Sequence, residues 1–101
     1  MTARELCNYL IAVASGDYEV RIAECGNNII FTKFIDGSRL FNPNIRTTYD
    51  VYHRKTCRDL VHFITRNNLE NYAVVSPVRT WRVVNYMVIS IDPVRREVVF
   101  R

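Results

Sequence analysis

His53, Cys57 and His62 are the residues of this chain whose types and spacing come nearest to nucleophilic or metal chemistry. A cysteine nucleophile needs a base within hydrogen-bond reach and a positive setting that stabilises thiolate. Cys57 has Lys55 and Arg58 beside it and His53 just before it. It also opens an apolar stripe, Cys57, Leu60, Val61 and Ile64, at helical spacing, and the reading preferred on that ground is a buried, inert thiol. The same three residues spell H-x3-C-x4-H. Structural zinc takes four ligands, usually as two close pairs, and the fourth would have to come from Cys7, Cys25 or a distant carboxylate. Five residues along a helix also turn His62 about 140° away from Cys57. No Ser-centred elbow, paired carboxylates or Gly-rich phosphate loop is present. The expectation is a non-enzymatic protein with no catalytic residue, no metal and no cofactor.

Binding chemistry is better represented. Arg46, Tyr49, Tyr52, His53, Arg54, Lys55 and Arg58 run through the middle of the chain, and Arg79, Trp81, Arg82 and Tyr86 punctuate a later apolar stretch. Guanidinium groups and helix N-terminal amides hold phosphates, and exposed aromatic rings give unstacked bases a surface. The first reading is therefore nucleic-acid binding, DNA or RNA, through Arg46, Tyr52, Arg54, Lys55, Arg58, Arg79, Arg82 and Tyr86. Trp81 and Arg82 point to opposite faces of a strand, which assigns Trp81 to the core. The alternative is a protein-interaction module or small inhibitor or accessory protein, gripping an acidic protein through the Arg-rich face or pairing through an exposed sheet edge. Val98-Val99-Phe100 is the candidate edge, and a homodimer could form along it. The R-K-x-x-R of Arg54, Lys55 and Arg58 resembles the basic helix start of double-stranded RNA-binding domains. The likeness is confined to that motif, because the helix that follows is not Ala-rich and three further strands come after it.

Charge and composition narrow the classes further. The chain has 101 residues and a net charge of +4, with −2 in residues 1–36 and +6 in residues 37–101. Twelve of its fourteen basic residues are Arg, the side chain that forks onto phosphate or carboxylate, where Lys acts as a point charge. A solvated basic face with no ligand is the competing account of that bias. Three Gly and three Pro exclude low-complexity tracts. The nearly apolar stretch from Val83 to Ile91 is about half of what a membrane-spanning helix needs. Thr2, Arg4, Glu5 and Asn8 break up any leader-like apolar core. Three cysteines at unrelated spacings predict free thiols and an intracellular, reducing compartment, cytoplasm or nucleus.

The elements that would position these groups follow from periodicity. Thr2 with Glu5 is a capping-box signature, and Leu6, Tyr9, Leu10 and Val13 recur at helical spacing, predicting a helix over 3–15. Alternation from Tyr18 to Ile22, a turn at Gly26-Asn27-Asn28, an apolar run from Ile29 to Ile35, and Asp36-Gly37 before Arg39 to Phe41 predict a three-stranded meander. Thr47 to His53 is extended. Thr56 and Asp59 cap a second helix that ends at Asn67-Asn68. Strands at Tyr72 to Val75, Thr80 to Ile91 and Glu97 to Phe100 complete the chain.

Thr2, Arg4 and Leu6 match Thr56, Arg58 and Leu60 at an offset of 54 residues, with Glu5 against Asp59 and Tyr9 against Phe63. The offset predicts a tandem α-β-β-β duplication with units 2–41 and 56–100, set against chance likeness between two capped helices. The predicted fold is a single α+β domain over residues 1–101, two helices packed on one face of an antiparallel sheet.

Overall fold

Both helices begin where the sequence places a cap. In the computed structural model, which describes residues 2–23, 28–33, 42, 44–52, 54–76, 85–86 and 89–100 (backbone only at 76 and 85–86), α1 spans Ala3–Val13 and α2 spans Cys57–Arg66. The Thr2 hydroxyl accepts a hydrogen bond from the Glu5 N–H at 3.2 Å. At α2 the capping box is complete: Thr56 Oγ1 accepts from the Asp59 N–H, and Asp59 Oδ2 accepts from the Thr56 N–H at 2.9 Å. Asn67 closes α2 with its side-chain amide on the Phe63 carbonyl, and Asn68 follows in the left-handed region at φ 54°.

The fold class is α+β, as predicted, but the strands form two sheets. In one, β2 (Asn28–Thr32) lies between β3 (Arg46–Asp50) and β4 (Ala73–Ser76), with β5 (Asn85–Tyr86) outside β4; every pairing is antiparallel. In the other, β7 (Glu97–Phe100) lies between β1 (Glu19–Ile22), paired in parallel, and β6 (Ile89–Asp92), paired antiparallel. The predicted hairpin between the first two strands does not form. β2 already has a partner on each side, and β1 pairs with the last strand of the chain. The predicted long strand from Thr80 to Ile91 contributes β5 to one sheet and β6 to the other. The predicted strand at Arg39 to Phe41 lies outside the described residues.

The exposed C-terminal edge is likewise overturned. β7 is a central strand with Val98, Val99 and Phe100 all buried, so no unpaired β7 edge remains for a homodimer. Consecutive apolar residues suit a strand covered on both faces, and the outer strands of this sheet are β1 and β6.

One buried cluster draws on both helices and both sheets: Leu6 and Leu10 from α1, Leu60 and Ile64 from α2, Phe31 from β2 and Phe100 from β7. The buried stripe of α1 is Ala3, Leu6, Cys7 and Leu10, whereas Tyr9 and Val13, expected inside, are exposed. Apolar residues surround the second half of this helix, so periodicity could not choose among stripes. The attachment of its N-terminus makes the choice.

That attachment recurs at both helices. The Ala3 N–H donates to the Tyr72 carbonyl at 2.8 Å and the Arg4 N–H to that of Glu70 at 2.9 Å. The Cys57 N–H donates to the Tyr18 carbonyl at 2.9 Å and the Arg58 N–H to that of Gly16 at 3.0 Å. Bridges Thr2 to Ala73 and Thr56 to Glu19 extend the match. Every one of these pairs is related to its counterpart by 54 residues. Each helix thus starts beside the segment that follows the other, and the two run antiparallel. The sheets do not repeat this offset: β4 sits between two strands, while β1 pairs only with β7. A tandem duplication is therefore not shown.

Phe100 is fully buried next to the end of the chain. Phe100→Ala is expected to lower stability by about 3–5 kcal/mol in a denaturant titration, and a loss below about 1 kcal/mol would contradict a central β7. Tyr49 packs against Phe63 at a ring distance of 4.6 Å with its hydroxyl buried and unpartnered. Burial, and secondly the Asp59 charge, push its pKa up to about 12. Tyr49→Phe removes an unsatisfied group, so the same titration should show stability unchanged or raised by about 1 kcal/mol. A clear loss would reveal a partner for that hydroxyl.

Candidate functional site

The first turn of α2 is the natural place for an anion, yet its amides are already used. The Cys57 and Arg58 N–H groups go to carbonyls of the segment after α1, and the Asp59 N–H goes to the Thr56 hydroxyl. A phosphate arriving here would meet side chains only, which corrects the expectation that helix N-terminal amides contribute. The Thr56 N–H bond, followed by the Thr56 hydroxyl and the charges of Lys55 and His62, holds the Asp59 carboxyl below the usual range.

The predicted site residues separate into groups. Tyr52, 67% exposed, Arg54, Lys55 and Arg58 stand together in the turn and cap leading into α2. Arg54 occupies the left-handed region at φ 53°. Arg46 begins β3, about 14 Å of strand away from Asp50 at the other end, and does not join them. Tyr86 is in β5, with its side chain outside the description, and Arg79, Arg82, Trp81 and His53 lie outside the described residues.

Ion pairing sorts the cations. Arg21 pairs with Glu97 at 3.7 Å, Arg95 with Asp92 at 3.8 Å, and Arg96 with Asp17. Among the described residues Arg54, Lys55 and Arg58 have no carboxylate at salt-bridge distance. The Arg58 guanidinium lies over Gly16; a Cβ there would stand 3.1 Å from Nη2.

A feature that sequence reasoning missed lies beside Arg58. An open groove of about 260 Å3 separates the end of α1 from the start of α2, walled by Leu10, Ile11 and Ala14 on one side and Cys57 and Val61 on the other. Arg58 and His62 supply its polar rim. Ile11 is 71% exposed. The one signal for it was an apolar residue in α1 beyond those a single buried stripe requires.

Cys57 is 2% exposed, and burial, with Asp17 second, pushes its thiol up to about 11, so it is a protonated core group at neutral pH. Cys7 and Cys57 are free thiols. Among the described residues no three His, Cys, Asp or Glu side chains gather as metal ligands, and no helix is long and apolar enough to cross a membrane. Comparison with known proteins finds no matching family model, no matching curated protein and no matching solved structure.

The capping box carries a pH dependence. Because the Asp59 carboxyl is held below its unfolded value of about 3.9, its stabilisation is present above that pH and is lost as pH falls through the lower folded pKa. The stability gap between the native chain and Asp59→Asn, measured by urea unfolding from about pH 6 to pH 2, should narrow on the acid side. A constant gap would remove the cap as its source.

Proposed function

We propose that this chain is a non-catalytic protein-binding module that holds an acidic partner on the face where the end of α1 meets the start of α2. The observation that supports this reading is the conjunction of an exposed apolar side chain, Ile11, with an open groove whose rim carries an unpaired guanidinium, Arg58. Exposed apolar surface beside polar residues marks interaction sites, and Arg is among the residues that dominate protein hot spots. The buried free thiols of Cys7 and Cys57 support a reducing compartment for it.

A second reading is nucleic-acid binding, favoured by the run of exposed Tyr52 and unpaired Arg54, Lys55 and Arg58. The two differ in salt response. Backbone binding by several cations weakens steeply with salt, whereas an interface anchored by an apolar side chain holds.

Affinity capture from nuclease-treated extract, comparing the native chain with Ile11→Asp by quantitative mass spectrometry, tests the first reading. Acidic proteins retained by the native chain should fall by about tenfold with the variant. Capture indifferent to Ile11→Asp overturns it. Labelled single-stranded and duplex DNA and RNA, titrated at about 50 and 200 mM salt, test the second. Saturable binding that collapses between those salts and is lost in Arg54→Ala with Arg58→Ala would favour nucleic acid.

A further inference from the structure

We infer that the groove between α1 and α2 seats a single apolar side chain of the partner while Arg58 holds a carboxylate next to it; this rests on the protein-binding reading and specifies its ligand as an acidic segment with an apolar anchor. The argument is a comparison inside the molecule. The same backbone bonds start both helices, at positions 54 residues apart, so whatever the attachment itself demands must be met in both places.

The side chains at the matching positions differ in kind. Ile11 and Ala14 of the groove correspond to Thr65 and Asn68, His62 to Asn8, and Gly16 to Glu70, while Arg58 corresponds to Arg4. A helix start attached in this way is thus built equally well with polar residues around it. The apolar character of the first place is not required by the cap, and at 71% exposure Ile11 gains little from burial in the monomer. Only Leu10 and Cys57, at the base, belong to the core.

The charge at the two places differs as well. At the second attachment the carbonyl that takes the Arg4 N–H belongs to Glu70, an acid; at the first it belongs to Gly16, which brings no charge and leaves room for the Arg58 guanidinium over its backbone. Arg58, unpaired among the described residues, is free to fork onto an incoming carboxylate. Nearby Arg54 and Lys55 are unpaired too, so the charge complementarity is with an acidic chain. At about 260 Å3 the groove falls below the roughly 300–1,000 Å3 of small-molecule pockets, and its scale is that of an anchoring side chain.

The test uses the full chain against a displayed library of random 12-residue peptides. Enriched peptides should pair Leu, Ile, Met or Phe with a neighbouring Asp or Glu. Their binding should weaken by about tenfold or more in Ile11→Thr with Ala14→Asn, which installs the side chains of Thr65 and Asn68, and separately in Arg58→Gln. Circular dichroism melts establish that each variant is folded, and Thr65→Ala with Asn68→Ala on the far side should leave binding unchanged. Peptides that bind but ignore the groove variants overturn this site and leave a protein-binding module with another surface. Peptides enriched in basic residues overturn the carboxylate, and no enrichment at all overturns the inference.

Discussion

Everything in this molecule leans on the way each helix start is tied to the segment leaving the other helix. Two main-chain bonds at each place, Ala3 to Tyr72 with Arg4 to Glu70, and Cys57 to Tyr18 with Arg58 to Gly16, satisfy amides that a helix leaves open. They are non-local bonds between groups some 54 to 69 or fewer residues apart in register, and they cannot form until both halves of the chain are present. Once formed, they set the helices antiparallel, select which stripe of α1 faces inward, and deliver β1 and β4 to their sheets directly after the contact.

The chemistry available to the molecule follows from the same bonds. Because the α2 amides are spent on Gly16 and Tyr18, its basic first turn is a cluster of side chains rather than an anion cradle. Because the end of α1 is drawn against the start of α2 there, Arg58 comes to lie over Gly16 and a groove opens alongside. The Cys57 thiol, which sequence spacing sets among cations, is drawn inward by the same contact and becomes a core group with its pKa raised. Burial outweighs the neighbouring positive charge, since desolvation penalises thiolate more than exposed, water-screened cations stabilise it.

Local patterns were readable where a single principle governed them. Both caps, both helices, the stop at Asn67-Asn68 and the last strand at Glu97–Phe100 stand where short-range pattern predicts them. The basic turn from Arg54 to Arg58 is contiguous and so was bound to stay together, whereas Arg46, grouped with it by sequence proximity, is carried off by the length of β3. The groove was not readable, because its walls come from residues near 10 and residues near 60 and no local period joins them.

The sequence by itself determined the α+β composition, the helix boundaries and the basic character of the approach to α2, since caps, turns and apolar periods act over a few residues. Tertiary structure alone decided the pairing of β1 with β7, the division into two sheets, the burial of Val98-Val99-Phe100 as a central strand, and the exposure of Ile11 beside Arg58. A strand carries no local mark of its neighbour, and a helix that is apolar on several sides carries none of the face it will bury. Both are settled by which arrangement satisfies the backbone and fills the core together.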